Sequence, residues 1–278
     1  MLRTSSRSFA DEIQPPVQLS PSSVPGPALV GFAELAAILG AGVLEASRFA
    51  DVRFPVRRLS QGDVLYRAGD GFDAIYAVRC GFFKTQCVDE GGTEQVLSFP
   101  MRGEVLGLDG IAPGQYSVDA IALETSEVVV LSFRRIASLS RDEPHLEQLL
   151  YRLLSRELGR THAVMHLLGS LGADARVASF LLDLSERLGR LGFSRSCFVL
   201  RMTRYEIGSY LGVQLETVSR TLSSLAAAGL IAVDGRTIEL RNLAGLRRLL
   251  ESQEQVRPSA PRVSRRRLAL VESSGVAA

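Results

Sequence analysis

The most regular spacing of apolar and polar positions lies in Thr203–Leu230, TRYEIGSYLGVQLETVSRTLSSLAAAGL. It predicts a helix that begins at Thr203, where Glu206 completes a Thr-x-x-Glu capping box. That helix is expected to end at Gly212, since glycine adopts the positive φ that a sharp turn requires. A second helix is predicted over about Gln214–Ala228. The whole stretch is therefore predicted to be helix, tight turn and helix.

The second helix is predicted to have two unlike faces. Its apolar face follows three- and four-residue spacing and comprises Leu215, Val218, Leu222 and Leu225. The polar face of its first turns comprises Glu216, Thr217, Ser219 and Arg220, and we call these four residues the reading face. A helix-turn-helix presents residues in this position to base edges in the major groove. The pattern therefore indicates a DNA-binding motif.

An alternating run, LIAVDGRTIEL, follows the second helix directly. It predicts two strands joined at Asp234-Gly235, a dipeptide typical of type I′ hairpins, and makes the motif a winged helix-turn-helix. Arg236 lies at the tip of this wing, where it can meet a phosphate. Upstream of the motif, Asp174 is predicted to cap a helix, and Leu243–Leu250 is expected to form a last short one. The buried stripe of the upstream helix comprises Val177, Phe180, Leu181, Leu184 and Leu188.

The first half of the chain has a different pattern. Residues 1–30 are rich in Ser and Pro and predict a disordered tail, and a short helix is expected over Gly31–Ser47. From Val56 to Phe133, short β-type runs are separated by glycines at intervals suited to turns. Several strands at that spacing favour a small antiparallel barrel or jelly roll.

The longest helical pattern, His145–Leu171, carries two apolar stripes. The inner stripe comprises Leu146, Leu150, Leu153, Val164, Leu167 and Leu171, and we expect it to pack on the barrel. The outer stripe comprises Leu154, Leu158, Thr161, Met165 and Leu168, with Tyr151 on the same line. A helix with two apolar faces needs two partners. The outer stripe therefore predicts the interface of a homodimer, with burial inside one subunit as the alternative.

Together these patterns predict an α+β chain of five parts. They are a disordered tail (1–30), a β-barrel domain (31–143), a dimerisation helix (144–172), a winged helix-turn-helix domain (173–250) and a disordered basic tail (251–278). Net charge follows the same division, since residues 1–150 carry −6, residues 151–250 carry +6 and the remainder carries +2. The positive excess lies with the helix-turn-helix, as attraction to phosphate requires.

Composition and cysteine usage narrow the cellular setting. No apolar run approaches the roughly 18 residues of a membrane span, and the first residues lack the apolar segment of a signal peptide. The three cysteines, Cys80, Cys87 and Cys197, have no paired spacing and indicate a reducing compartment. We therefore expect a cytoplasmic protein.

Several phrases, in this order of parts, resemble the CRP/FNR superfamily of bacterial transcription regulators, and in particular its fumarate–nitrate reduction branch. The phrases are GDVLYRAGDGFDAIYAVRCGFFKT, RGEVLGLDGI, ALETSEV and TRYEIGSYLGVQLETVSRTL, and the resemblance runs from about residue 35 to residue 250. It implies a homodimer with a cyclic-nucleotide-binding-type β-barrel (jelly roll), a long dimerisation helix and a winged helix-turn-helix. It also implies transcription regulation of genes related to oxygen, nitrogen oxides or redox state, and no enzymatic activity.

The resemblance further implies which bases the reading face meets. Glu216, Ser219 and Arg220 match the Glu-x-x-Ser-Arg signature of that branch, which implies an inverted repeat close to TTGAT-N4-ATCAA. Arg220 can present two donors to guanine, and Glu216 can accept from the N4 amine of cytosine. The alternative for these two residues is a surface ion pair between positions i and i+4. Further candidates for DNA contacts are Thr217, Gln214, Thr203 and Arg236.

The barrel half lacks the residues of the family's usual sensors. Regulators of the fumarate–nitrate branch hold a [4Fe–4S] cluster on four cysteines, whereas residues 1–79 here contain none. Nucleotide-binding members place a Gly-Glu pair before an arginine that holds the cyclic phosphate; here Gly103-Glu104 is followed by VLGLDGIAPGQYSVDA, which has no arginine. Haem would need ligands such as His162 and His166, four residues apart on the long helix. We expect no cofactor and no metal, with a sensor of cyclic nucleotide or haem as the alternative.

Cys197 is a candidate for redox regulation. It lies in FSRSCFVLRM beside Arg195 and Arg201, and nearby cations favour a thiolate that is open to oxidation. Oxidation close to the DNA backbone would weaken binding, whereas the alternative is an ordinary strand residue. We expect that the protein dimerises without a ligand and that its activity is set by its abundance or by Cys197.

RNA polymerase is the implied partner if the protein activates transcription, with Asp89–Thr93 and Gly192–Ser196 as candidate contact loops. Two rival functions are a ligand-binding module with a vestigial DNA domain and an enzyme. Intact Glu216, Ser219 and Arg220 argue against the first. The second lacks a Ser/His/Asp set, a metal-ligand cluster or a phosphate-binding loop.

Overall fold

The computed structural model describes residues 28–40, 51–89, 91–142 and 144–255. The predicted tails, up to residue 27 and from residue 256, lie outside the described residues. Within the described ranges, a strand-rich unit is followed by a short helix, a 27-residue helix and then a helical unit with a small sheet. The predicted α+β class is therefore confirmed. None of the helices in these ranges has the length and apolar character needed to cross a bilayer.

The N-terminal boundary of the barrel differs from the prediction. Residues Leu29–Gly31 form strand β1, which pairs antiparallel with β2 (Arg53–Leu59). Val30 is only 1% exposed, so residues 29 and 30 belong to the barrel and not to a disordered tail. Helix α1 (Phe32–Leu39) is shorter than predicted, because Gly40 ends it at φ +64°, and residues 41–50 lie outside the described ranges.

The predicted jelly-roll barrel is confirmed. Its further strands are β3 (Val64–Tyr66), β4 (Ala74–Cys80), β5 (Phe83–Val88), β6 (Glu94–Ser98), β7 (Val105–Leu106), β8 (Asp119–Ala122) and β9 (Ser126–Ser132). One sheet has the order β1-β2-β9-β4-β7 and the other has the order β3-β8-β5-β6. Side chains of both sheets share one core, which is how two antiparallel sheets bury their facing sides.

Strand β4 is buried on both of its faces. Ala74, Tyr76 and Val78 alternate into the core between the two sheets. Ile75 and Ala77 point the other way, into a second core that contains residues of α1 and of the long helix that follows the barrel. Because successive side chains of a strand point to opposite faces, a strand covered on both sides is apolar throughout.

Two helices leave the barrel, α2 (Phe133–Asp142) and α3 (Pro144–Ser170), and α3 matches the predicted long helix to within one residue. The inner stripe of α3 packs on the barrel as predicted, through Leu146, Leu149 and Leu153. Leu150, which the prediction placed in this stripe, is partly buried and packs against the same core, and Leu149, which the prediction left out, is buried there as well. A spacing of 3.6 residues allows both neighbours to face the barrel, and Leu149 faces it more directly.

The C-terminal half forms the predicted winged helix-turn-helix. Its elements are α4 (Ala173–Arg190), β10 (Cys197–Val199), α5 (Arg204–Leu211), α6 (Leu215–Ala227), β11 (Ile231–Asp234), β12 (Thr237–Leu240) and α7 (Leu243–Gln255). The wing loop is Gly235-Arg236 and not Asp234-Gly235, because Asp234 pairs with Thr237 across the hairpin. Helix α7 is longer than the predicted Leu243–Leu250.

The start of α4 corrects a second local prediction. The N-cap residue is Gly172, and Asp174 lies inside the first turn. The Asp174 carboxylate instead accepts a hydrogen bond from the Thr221 hydroxyl on α6, so it joins two helices. The predicted buried stripe of α4 is confirmed in all five of its residues.

One apolar core continues from the barrel into the winged helix-turn-helix. It contains Val96, Phe99 and Met101 of the barrel together with the buried stripes of α4, α5 and α6. The predicted division at residue 172 is therefore a change of elements and not a break in packing. The core fixes where the helix-turn-helix lies on the barrel.

We predict that Leu211→Ala lowers the free energy of unfolding by about 2–5 kcal/mol, because it leaves a cavity in this shared core. Leu211 is fully buried, whereas Leu215 on the next helix is 40% exposed. Leu215→Ala is thus a matched control and should lower the same quantity by less than about 1 kcal/mol. Urea unfolding followed by circular dichroism measures both values, and equal losses would contradict this packing.

Candidate DNA-binding site

The first helix of the motif begins at the predicted capping box. The Thr203 hydroxyl accepts a hydrogen bond from the Glu206 backbone N–H at 3.2 Å. The Glu206 carboxylate in turn accepts from the Thr203 backbone N–H at 2.7 Å. Two N–H groups that a helix start leaves without a helical partner are thereby bonded, which fixes the direction in which α5 begins.

Two glycines allow the tight turn between α5 and α6. Gly212 has φ +62°, as the sequence predicts for the residue that ends α5. Gly208 is needed for a different reason, since a Cβ there would lie 2.6 Å from the backbone oxygen of Val213. The spacing of apolar residues does not single out Gly208, because its role depends on how closely the turn returns to the helix.

The reading face lies on the solvent side of α6. Glu216 and Arg220 are exposed, and Thr217 and Ser219 are partly exposed. On the opposite side Val218, Leu222 and Leu225 are buried in the shared core. The core thus anchors the helix along one side and leaves its polar first turns open.

Leu215 is not part of the buried face, contrary to the prediction. It is 40% exposed, because it is the first residue of α6 and has no preceding helical turn beside it. Its apolar side chain lies next in sequence to Glu216, at the start of the reading face. An apolar group there can contact the methyl group of a thymine.

The alternative of a surface ion pair between Glu216 and Arg220 is not observed. Among the described residues, no ion pair within 4.0 Å joins the two side chains. The Arg220 guanidinium donates one long hydrogen bond, of 3.4 Å, to the hydroxyl of Thr217. Arg204, which the sequence pattern does not single out, donates a similar bond of 3.4 Å to Ser219. Most donors of Arg220 are thus left for a ligand.

The other three predicted contact residues occupy the ends of elements. Gln214 is the N-cap of α6, is exposed and makes no side-chain capping bond, so its amide is free to meet DNA. Arg236 is exposed in the wing loop. Thr203 is exposed at the start of α5, but its hydroxyl is already used by the capping box.

The capping carboxylate is also bonded to the barrel. Lys84 of β5 approaches Glu206 at 3.0 Å. Burial alone would raise the pKa of Glu206, but the Thr203 backbone N–H and Lys84 outweigh it and hold that pKa below its usual value. The start of the helix-turn-helix is therefore charged at neutral pH and bonded to the barrel.

The outer stripe of α3 is open to solvent in the single chain. Leu154, Leu158 and Met165 are 40%, 58% and 63% exposed, and Thr161 is also exposed. Leu168, at the end of the stripe, is half-buried. The alternative of burial inside one subunit is therefore wrong for most of the stripe.

Aromatic side chains fill the space inside the barrel. The rings of Tyr66 and Tyr116 stack with centroids 3.9 Å apart, and Tyr76 lies 5.8 Å from Tyr66. All three are at most 7% exposed, and the Tyr116 hydroxyl donates to the Ala74 backbone oxygen at 2.8 Å. Burial raises the pKa of Tyr66 and of Tyr116 far above its ordinary value, so both phenols are neutral.

The cysteines and histidines do not suit an iron–sulfur cluster or haem. Cys80 ends β4, Cys87 lies in β5 and Cys197 starts β10, and a cluster needs four thiolates or substitutes at one place. Within the described ranges, no three Cys, His, Asp or Glu side chains converge as metal ligands. His162 and His166 are exposed on α3.

The surroundings of Cys197 give little support to its redox role. Its thiol is exposed, but Arg201 pairs with Glu124 of the barrel at 3.2 Å. The Arg195 side chain lies against Gly189 on α4, where an added Cβ would meet it. Arg201 is thus paired with a barrel carboxylate, and the Arg195 side chain lies along α4.

The two loops predicted to contact RNA polymerase lie at the surface. Asp89 and Thr93 close the β5–β6 hairpin with a backbone hydrogen bond of 3.1 Å, and Glu90 lies outside the described residues. The loop Gly192–Ser196 is exposed, and its Phe193 is 62% exposed.

Two domain families match the two halves of the chain. Residues 56–143 match the cyclic nucleotide-binding domain, and residues 175–249 match the Crp-like helix-turn-helix domain. The first match covers the barrel and the second covers the winged helix-turn-helix. The long helix α3 connects the two matched segments.

Curated proteins with similar sequences are transcription regulators by name. The chain is 44% identical to the transcriptional regulatory protein btr of Bordetella pertussis, over 69% of this chain and 80% of that protein. It is 42% identical to the transcriptional activator protein anr of Pseudomonas aeruginosa, over 68% and 80% respectively. It is 38% identical to the fumarate and nitrate reduction regulatory protein of Escherichia coli, over 69% and 76%.

A solved structure has the same architecture. FixK2 from Bradyrhizobium japonicum aligns with a TM-score of 0.65 and 28% identity, and covers 70% of this chain and 96% of its own. The alignment thus extends over nearly the full length of that regulator.

We predict that the thermal midpoint of the wild-type protein falls more steeply with decreasing pH than that of the Glu206→Gln variant. A carboxyl whose pKa is lowered by folding stabilises the folded state above its unfolded pKa, and this contribution is lost as the pH falls. Thermal midpoints between about pH 7 and pH 3.5 should therefore fall less in Glu206→Gln, which starts from a lower value at neutral pH. Glu216→Gln, which changes an exposed carboxylate, should keep the wild-type slope; equal slopes for all three proteins would contradict the role of Glu206.

Proposed function

The chain belongs to the CRP/FNR family of DNA-binding transcription regulators, and we propose that it binds as a homodimer to an inverted repeat close to TTGAT-N4-ATCAA. In this proposal the reading faces of two subunits enter successive turns of the major groove. We further propose that it acts in the cytoplasm on genes related to oxygen, nitrogen oxides or redox state.

The observation that carries the proposal is the open reading face. Arg220 and Glu216 are exposed and not paired with each other, so a guanidinium fork and a carboxylate are both available to bases. Arginine recognises guanine through O6 and N7, and a carboxylate accepts from the amine of cytosine. Ser219, held by Arg204, lies between them along the helix and can bond to a base edge or a phosphate. These three residue types suit the TTGAT half-site.

The outer stripe of α3 supports the homodimer. Its exposed leucines and Met165 would be buried against the same stripe of a second subunit, which is the self-complementary contact of a two-fold dimer. Two reading helices could then meet half-sites about one helical turn of DNA apart. RNA polymerase is a further proposed partner at promoters where the protein activates, through the loops Asp89–Thr93 and Gly192–Ser196.

We predict that Arg220→Ala weakens binding to the inverted repeat by about 1–3 kcal/mol and relaxes the preference for guanine at one position of each half-site. Fluorescence anisotropy at fixed salt concentration measures the Kd on the repeat and on single-base variants. The matched control is Arg58→Ala, which removes an exposed arginine from β2 of the barrel and should leave both values unchanged. An unchanged base preference in Arg220→Ala would contradict the assignment.

We predict that Leu158→Glu converts the dimer into a monomer, because it places two like charges in the interface. Sedimentation equilibrium at micromolar concentration measures the mass, without DNA or added ligand. Leu29→Glu is the matched control, because Leu29 is also 58% exposed but lies on β1. The proposal fails if wild-type protein is already a monomer, or if Leu158→Glu stays a dimer.

A further inference from the structure

A buried carboxylate lies where the barrel meets the long helices. Glu104 precedes β7, and its side chain is only 5% exposed. It accepts two hydrogen bonds from Arg187 of α4, at 3.2 Å from Nε and 2.9 Å from Nη2. It also accepts a bond of 2.6 Å from Arg160 of α3. One carboxylate of the barrel thus binds both long helices at once.

The position of Arg187 is fixed from several sides. Besides Glu104, its guanidinium donates to the Phe99 backbone oxygen and to the Asp183 carboxylate, the latter at 3.3 Å. The side chain is only 13% exposed. A planar guanidinium that bonds a carboxylate through two parallel N–H groups is restricted in direction as well as in distance.

The ion cluster lies beside a second set of contacts between barrel and helix-turn-helix. Phe99 of the barrel, Phe180 of α4 and Tyr210 of α5 form an aromatic cluster with ring centroids 5.2–6.0 Å apart. Next to it, the Val96 backbone N–H of β6 donates to the Ser209 hydroxyl of α5 at 2.9 Å. Apolar contacts hold the surfaces together but are not directional, whereas the ion cluster sets an orientation.

This arrangement keeps the reading face open. Glu216 and Arg220 are exposed while the barrel contacts α5 through Ser209 and Tyr210. The barrel therefore holds the motif by its first helix and leaves the second free for DNA. A buried ion cluster adds little net stability compared with apolar residues, so its best-supported use is to specify one arrangement among several.

Arg160 links the same carboxylate to the proposed dimer interface. It lies on α3 between Leu158 and Thr161 of the outer stripe. A displacement of Glu104 would therefore remove the ionic link between Arg160 of α3 and Arg187 of α4, while Arg176 of α4 stays bonded to the Leu168 backbone oxygen of α3. In a dimer, the angle between these two helices sets the distance between the two reading faces.

We propose that Glu104 is a positioning residue for DNA recognition, whose carboxylate holds Arg160 and Arg187 and so sets the spacing of half-sites that the dimer accepts. The inference rests on the proposed dimeric binding to an inverted repeat. It assigns to the Gly-Glu pair of this barrel a contact with the protein's own helices, in place of a contact with a small molecule.

The test is the spacing preference of the full-length chain with Glu104→Gln. Anisotropy titrations at one salt concentration use duplexes in which three, four, five or six base pairs separate the TTGAT half-sites. Wild-type protein should prefer one spacing, expected to be four. In Glu104→Gln the Kd on that duplex should rise about tenfold, or ~1.4 kcal/mol, and on the other duplexes change by less than about threefold.

Two further variants keep the test decisive. Arg187→Lys retains the positive charge but loses the paired N–H geometry, so it should show the same loss of spacing preference in a folded protein. Glu127→Gln is the matched control, because Glu127 pairs with Arg79 at 2.8 Å within the barrel, and it should keep the wild-type preference. A folded Glu104→Gln or Arg187→Lys protein with the wild-type ratio of Kd values would overturn the proposal, as would tighter binding to every duplex.

Amide hydrogen exchange without DNA separates this inference from the proposed function. The Val96 amide is bonded across the contact with α5, so its exchange reports on the docking of the two units. It should exchange at least about tenfold faster in Glu104→Gln than in wild-type protein. If wild-type protein binds none of the duplexes, the proposed function fails. If the Val96 amide exchanges at the same rate in Glu104→Gln as in wild-type protein, the role of Glu104 is wrong whether or not the protein binds DNA.

Discussion

The contact between barrel and helix-turn-helix is the constraint on which the rest of this protein depends. Glu104 reaches Arg160 on α3 and Arg187 on α4, so one buried charge binds the helix of the proposed interface and the first helix of the winged unit. The shared apolar core and the bond between Val96 and Ser209 close the same contact. Recognition of an inverted repeat needs two reading faces at a fixed separation. A directional contact such as the Glu104 ion cluster can fix that separation, because it restricts the orientation of the helices.

The barrel positions the helices through its own side chains, without residues suited to the family's usual effectors. Its interior is occupied by the stacked rings of Tyr66, Tyr76 and Tyr116, and the segment after Glu104 has no arginine for a cyclic phosphate. Thiolates for a cluster are missing from the first 79 residues. In our account, the contacts that a bound effector would otherwise make are supplied by side chains of the chain itself.

Local signals in the sequence predicted the helix-turn-helix, whereas contacts between residues far apart in the sequence could not be predicted. The capping box of Thr203 and Glu206 involves residues three apart, and Gly212 needs only its own backbone, so both were visible in the sequence. Glu104 lies 83 residues from Arg187, and Asp174 lies 47 from Thr221, so no spacing rule joins them. The prediction that Leu215 is buried was wrong because periodicity does not show that the first residue of a helix has no preceding turn to cover its side chain.

DNA binding without an effector can be tested on one preparation of wild-type protein, purified without oxygen, whose absorption spectrum, metal content and DNA binding are measured together. We expect a protein with no visible absorption band and no stoichiometric metal that still retards a TTGAT-N4-ATCAA duplex and not a scrambled one. Retardation that appears only with a bound iron–sulfur cluster, haem or added cyclic nucleotide would contradict it. The reading face would then be held by a ligand and not by the contacts of the chain.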